Sequence, residues 1–327
     1  MEQRVLGRSR QQVSVIGLGT WQLGADWGDV REEDALAVLA AAVESGVTFF
    51  DTADVYGDGR SEALIGRFLR EHPDSGVLVA TKMGRRAPLD PALYTLDNFR
   101  AWTDRSRRNL GVDRLDLVQL HCPPTPVYSS DAVFDALDAL VDEGRIAAYG
   151  VSVETCAEAL TAIARPGTAS VQIILNPFRL KPLAEVLPAA ADAGVGIIAR
   201  VPLASGLLSG RYTADTVFPA SDHRTYNRQG AAFDQGETFS GVDYATGVAA
   251  AVEFAALAPE GASPAQTALR WIAQQPGVSS VIPGARSPEQ ARANAGAAEL
   301  APLPEKTLEA VRELYDRRFR AEVHDRW

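Results

Sequence analysis

Short runs of β-branched and apolar residues, each ending near Gly, Asp or Pro, alternate along this chain with longer Ala- and Leu-rich segments of helical period. Eight such runs stand out, at 15–19, 48–51, 77–82, 115–121, 147–152, 171–175, 196–200 and 280–283. Several are almost continuously apolar, as parallel strands covered on both faces are. The alternation predicts repeated βα units in an α/β fold, and eight units suit closure into a (β/α)8, or TIM, barrel.

The helical segments carry readable ends. Glu32, Glu33 and Asp34 place negative charge at the start of one, and Gly46 follows its last turn. Ser263 followed by Pro264 is a good N-cap with proline in the first turn. Ahead of the first strand, VLGRSRQQVSVI has two β-like runs around a Gly-Arg-Ser-Arg turn, predicting an N-terminal hairpin that closes one end of the barrel. After the eighth strand come a helix over 288–298 and a charged amphipathic tail over 305–327, a C-terminal helical extension.

Periodicity fails across 211–244. A stretch this long inside a compact domain is usually functional or disordered. Its aromatic residues favour a packed loop, and a loop after the seventh strand lies at the C-terminal face, where barrel active sites form. No linker, second domain or short repeat interrupts the pattern, so 1–327 reads as a single domain.

Composition narrows the function. The net charge of −10 leaves no basic footprint for nucleic acid or an anionic membrane, so the expected partner is a small molecule. The two cysteines, Cys122 and Cys156, form no metal-binding CxxC pair, which predicts no metal and a reduced, cytoplasmic setting. The start MEQRVLGRSRQQ lacks the apolar core of a signal peptide, and nowhere do eighteen apolar residues run together. No heptad or broad apolar stripe specifies an oligomeric state.

Four polar residues fall at or just beyond the ends of successive predicted strands. Asp51 ends the second, in FFDTADVYG, and Tyr56 follows in its loop; Lys82 ends the third, in LVATK; His121 ends the fourth, in LVQLHCP. Strand ends on that face point into the barrel mouth, so these side chains converge. An Asp and a Lys inside apolar strands must find partners, because a buried unpaired charge costs several kcal/mol, and Asp51 and Lys82 can pair with each other. A phenol titrates near ~10 and is a poor acid at neutral pH unless its surroundings change. Lys82 near the Tyr56 oxygen is expected to lower its pKa, with Asp51 holding Lys82 and a neutral His121 orienting a carbonyl or passing a proton. The set suits proton delivery to an oxygen whose carbon receives a hydride.

At these residues, and in GVS, VQ, PLASGLLSG and IPGARSPEQARAN in the same order, the chain resembles the aldo-keto reductase superfamily, its potassium-channel β-subunit-like branch in particular. The resemblance implies NADP(H)-linked reduction of aldehydes or ketones, with Asp51, Tyr56, Lys82 and His121 as catalytic tetrad and Tyr56 as proton donor. It implies that Gly19, Thr20 and Trp21 lie beside the nicotinamide, together with Asp51, and that Ser152 and Gln172 hold the carboxamide. Trp21, Tyr56 and His121 would also meet substrate. Leu203, Gly206, Leu208, Gly210 and Arg211 match the loop that wraps the pyrophosphate, where glycines allow close backbone approach, and Arg200, Val201 and Pro202 just before it are also implied to touch the cofactor. Gly284, Arg286, Gln290 and Asn294 match the segment at the adenosine end, and an arginine beside a helix N-terminus suits a 2′-phosphate, favouring NADPH over NADH.

Three positions depart from the family pattern. Val153 follows Ser152 where Asn is common, Arg200 stands where many members stack an aromatic on the nicotinamide, and Gly284 replaces a frequent Lys. Trp21, Trp27, Tyr56, Phe178 and the aromatics of 211–244 are candidates to line a pocket, and His223 and Arg224 to meet an anionic substrate group. Two competing readings remain: a regulatory subunit that keeps the cofactor site as a sensor, and a hydrolase using Asp51 and Asp54 as paired acids.

Overall fold

A computed structural model describes residues 1–24 and 30–327. Trp27, one of the pocket candidates, lies outside the described residues. Two short strands, β1 (Gln3–Val5) and β2 (Gln12–Ser14), pair antiparallel as the expected hairpin, Arg4 facing Val13. Eight parallel strands follow: β3 (Leu18–Gly19), β4 (Phe49–Asp51), β5 (Leu78–Met83), β6 (Leu117–His121), β7 (Tyr149–Ser152), β8 (Thr168–Ile174), β9 (Gly196–Arg200) and β10 (Val278–Val281). They pair in sequence order, and parallel bridges from Ile16 to Val281 and from Gly19 to Gly284 close the ring. Each of the eight predicted runs overlaps one of these strands.

Helices follow each barrel strand. The one over Glu32–Glu44 begins at its acidic triplet, and Gly46 takes the left-handed φ of 85° beyond its end. Ser263 caps the helix Pro264–Ala273 through a reciprocal bond with Gln266. The helix expected over 288–298 stops at Ala295 and tightens into a 3-10 turn over Gly296–Glu299. The tail forms Glu305–Arg318 and a short turn of helix, Arg320–Val323. Strand β8 begins three residues before the predicted run, because its buried Thr168 and Ser170 are polar and escape a search for apolar runs. Among the described residues no helix is long and apolar enough to cross a membrane.

Side chains alternate along each strand, so every second residue enters the barrel. The lower interior is apolar: Phe49, Leu78, Ala80, Leu117, Ala148, Ala169, Ile198 and Ile282 pack with Leu6 and Val13 of the hairpin. The hairpin therefore plugs the N-terminal end. Arg4 donates to the carbonyls of Ala273 and Val278, and Arg8 to those of Ala193, Arg165 and Thr168, satisfying chain ends that gather beneath the barrel. One layer higher, the inward positions turn polar. Asp51 stands two residues beyond Phe49, Lys82 two beyond Ala80 and His121 four beyond Leu117. That change from apolar to polar marks the upper face as the candidate site.

Candidate active site

The ends of β4, β5 and β6 bring Asp51, Lys82 and His121 together, all nearly inaccessible to solvent. Lys82 Nζ donates to Asp51 Oδ1 at 2.5 Å, to the Thr52 carbonyl at 2.9 Å and to the Tyr56 hydroxyl at 3.3 Å. Asp51 Oδ2 accepts from Gln119 Nε2 at 3.1 Å and Gln172 Nε2 at 2.7 Å. The buried ion pair is thus fully hydrogen-bonded, the condition under which such a pair is tolerated. Tyr56 opens a tight turn in which Gly57 and Asp58 have φ of 58° and 52°. A Cβ on Gly57 would come within 2.4 Å of the Gly24 carbonyl oxygen, so this turn needs glycine twice over.

The Tyr56 ring stacks on Trp21 with centroids 6.0 Å apart and meets the His121 ring edge-on at 5.9 Å. Burial pushes the phenol above its usual value, and the Lys82 ammonium offsets this only in part. The expected net lowering is therefore corrected: Tyr56 stays protonated here because desolvation outweighs the nearby cation. Burial also works against the charge on Lys82, but Asp51, and then Tyr56, carry its pKa above the ordinary lysine value. Burial, aided by the charges of Arg85 and Lys82, holds His121 well below the imidazole range, so it is neutral at pH 7 as expected. Among the described residues its buried Nδ1 has no hydrogen-bond partner. This arrangement can present a phenolic proton and an imidazole nitrogen to one oxygen atom.

A second buried cluster adjoins the first. Arg200 donates to Glu154 Oε2 at 2.8 Å and the Val153 carbonyl at 3.0 Å, and lies 3.8 Å from Glu237. Arg85 donates to Glu237 Oε1 at 2.6 Å and reaches Glu154 at 3.4 Å. Glu237 holds the negative charge, since Arg85 and Arg200 overcome the effect of its burial; burial pushes Glu154 up to about 8. Cys122, Glu154 and Glu237 have donor atoms within 4.8 Å of one another, but the two guanidinium groups occupy the carboxylates. Sequence reasoning singled out Arg200 alone. Arg85 lies three residues beyond Lys82 and Glu154 two beyond Ser152, which is a usable signal of position; Glu237 sits in the aperiodic stretch and has none.

The remaining expected residues fall around this centre. Thr20 binds the Asp51 carbonyl through both its N–H and its hydroxyl, each at 2.9 Å, tying the end of β3 to β4 next to Gly19. Ser152 Oγ accepts from Cys122 Sγ at 3.4 Å, while Gln172 spends its amide on Asp51 and Gln119. After β9 the chain turns sharply: Val201, Ala204, Ser205 and Gly206 all have positive φ, and Asn176 pins the Val201 carbonyl at 2.9 Å. Pro202 and Leu208 are buried and Leu203 is partly buried, whereas Gly210 and Arg211 are exposed. Gly210 packs against Pro264, which places Arg211 by the N-terminus of Pro264–Ala273.

In the segment expected to meet the adenosine end, Arg286 is exposed just before Ser287, the N-cap of Pro288–Ala295. Its N–H donates to Gln290 Oε1 at 2.8 Å, and Asn294 donates to the Gly284 carbonyl at 3.1 Å. The Gln22 amide lies on the bare Cα of Gly284, where a Cβ would be 2.1 Å from its Nε2. Two exposed arginines at two helix N-termini form a donor set suited to phosphate groups, so the residues present fit a phosphorylated dinucleotide.

Other expectations need correction. Among the described residues, His223 and Arg224 are buried rather than presented to a ligand. His223 is fully buried with Nδ1 3.2 Å from the Thr238 hydroxyl, and Arg224 forms an ion pair with Asp222 at 2.6 Å. Both brace the 211–244 segment, which is packed through 3-10 turns and a short helix, His223–Tyr226. Phe178 packs on Phe319 of the tail, with centroids 4.6 Å apart. Trp21 does meet the segment, its ring lying 4.8 Å from that of His223 and 5.8 Å from that of Phe233.

Residues 15–316 match the Aldo/keto reductase family. The chain belongs to that family. It is 32% identical over 323 residues to a probable voltage-gated potassium channel subunit beta of Oryza sativa subsp. japonica, with 93% of each chain covered. Among solved structures it resembles a glycerol dehydrogenase from Gluconobacter oxydans, with a TM-score of 0.78, 29% identity and coverage of 96% of this chain and 95% of that one. An aldo-keto reductase from Klebsiella pneumoniae in complex with NADPH superimposes with a TM-score of 0.71 at 25% identity, covering 96% of each chain. In this aldo/keto reductase, Asp51, Tyr56, Lys82 and His121 meet where the upper barrel interior turns polar.

Proposed function

We propose that this aldo/keto reductase is an NADPH-dependent oxidoreductase that reduces an aldehyde or ketone to an alcohol, with Tyr56 as the proton donor. The observation that carries the reading is the 3.3 Å contact between the Tyr56 hydroxyl and a Lys82 that is itself bound to Asp51. When bound, NADPH supplies the hydride. Tyr56 gives its proton to the carbonyl oxygen, and the Lys82 ammonium stabilises the phenolate left behind. Neutral His121 donates a hydrogen bond to the same oxygen and orients it. Asp51 keeps Lys82 charged and in place.

Arg286 and Arg211 would hold the 2′-phosphate and pyrophosphate, with Gln290 and Asn294 shaping the former segment and the turn from Val201 to Gly210 the latter. Arg200, held by Glu154, would flank the nicotinamide where other members have an aromatic ring. The likeness to a reductase solved with NADPH supports this cofactor. A panel of aldehydes and ketones, followed with NADPH and NADH in parallel, tests the reading. Turnover with NADPH that Tyr56→Phe removes is the expected result; full activity in Tyr56→Phe would overturn the assignment.

The likeness to a plant channel subunit favours one alternative, a regulatory subunit that binds the dinucleotide without steady turnover. Tight NADPH binding with no consumption across the panel, together with a co-purifying protein, would select it.

A further inference from the structure

The carboxylate wall beside His121 is held from outside the barrel. Glu237 lies in a stretch with only two 3-10 turns, Gln235–Glu237 and Phe239–Gly241, so its own backbone does little to fix it and tertiary contacts must. Ser205, Asn176 and Asn227 hold residues 237–240 by hydrogen bonds, and Trp327 seats the flanking positions Asp234, Gly236 and Gly241. Its indole Nε1 donates to Asp234 Oδ1 at 2.9 Å. Arg326 donates to Gln235 Oε1 at 2.8 Å, and the guanidinium carbons of Arg179 and Arg326 lie 4.3 and 4.5 Å from the Trp327 ring centroid.

The chain is pressed onto this ring. A Cβ at Gly241 would come within 2.1 Å of Trp327 Cη2, and one at Gly236 within 2.3 Å of Arg179 Nη1. Arg179 also donates to the Glu154 carbonyl at 2.6 Å, so one clamp touches both chain segments that supply carboxylates to Arg85 and Arg200. A cation–π stack of this kind on a buried indole gives the clamp a fixed geometry.

We propose that Trp327 is a positioning residue: by seating 234–241 it sets Glu237 between Arg85 and Arg200 and so shapes the charged wall of the substrate site. The proposal rests on the carbonyl-reductase reading for its kinetic consequence, but not for the clamp itself. Trp327 touches none of the tetrad residues in the contacts above; it acts through Glu237.

The test is a double-mutant cycle on the whole chain. Trp327→Ala and Glu237→Gln should each raise the carbonyl KM by about tenfold or more, with a much smaller effect on NADPH affinity read by nicotinamide fluorescence. The double variant should be no worse than the more severe single, because Trp327 acts through Glu237 and its loss adds nothing once Glu237 is gone. A KM within about twofold of the parent for Trp327→Ala, or single effects that multiply in the double, would overturn the proposal. If Trp327→Ala does not fold, Trp327→Phe, which loses the bond to Asp234 and part of the ring face but keeps an aromatic against Arg179, enters the same cycle with a smaller expected effect and the same criterion. Hydrogen exchange separates the two levels. Faster exchange of the 234–241 amides in the variant supports the clamp even if no carbonyl is turned over, and unchanged exchange refutes it.

Discussion

Lys82 and Asp51 sit on neighbouring strands with Nζ 2.5 Å from Oδ1, two charges buried together in the upper barrel. The register explains the meeting: Asp51 pairs with Ala80, so Lys82 is the next inward residue along β5. Removing one charge strands the other. Asp51→Asn should cost about 3–5 kcal/mol in urea unfolding at pH 7, and the double variant Asp51→Asn, Lys82→Met should recover part of that loss because no lone charge remains. A double variant as unstable as the sum of the singles would contradict this account.

Tyr56→Phe removes the proton and keeps the ring on Trp21. Turnover should fall by about 10²–10⁴-fold or more, with NADPH affinity and the melting temperature nearly unchanged. Stopped-flow measurement of NADPH oxidation and a fluorescence titration read the two effects separately.

Acid should weaken the fold through its buried imidazoles. Burial lowers His223 to about 4 and holds His121 well below the ordinary value, whereas in the unfolded chain both titrate near ~6.5. Above pH ~6.5 neither state binds the proton, and the stability is fully present. As the pH falls from there towards about 4, the unfolded chain takes up protons that the folded chain refuses, so stability drops by about 1.4 kcal/mol per pH unit for each histidine. Urea midpoints between pH 7.5 and 4.5 should fall less steeply in His223→Asn than in the parent; parallel curves would refute the assignment.

Arg286→Ala should separate the two cofactors. Loss of a charge-assisted contact to a 2′-phosphate is worth about 1.5–3 kcal/mol, or roughly tenfold to a hundredfold in Kd, for NADPH. NADH binding should hardly change. Equal weakening of both would place Arg286 elsewhere than at the phosphate.

Much of this was legible before any coordinates. Eight apolar runs, with helices between them, require parallel strands buried on both faces, and a polar residue ending such a run must point either into the mouth or into a costly apolar layer. That reasoning reaches Asp51, Lys82 and His121. It does not reach Glu237, because side-chain period carries no information in an irregular segment, nor the pairing of His223 with Thr238 and of Arg224 with Asp222, which the fold of that segment sets.

The sequence alone determined the barrel, the hairpin beneath it and the strand ends that carry Asp51, Lys82 and His121, since these follow from local periodicity and chain order. Tertiary structure decided the rest. The direction of the Tyr56 shift depends on how completely its surroundings exclude water, and the Arg85, Glu154, Arg200 and Glu237 cluster joins residues up to 152 positions apart. Desolvation and charge pairing depend on distance in space, and only the closed barrel with 211–244 folded over its mouth sets those distances.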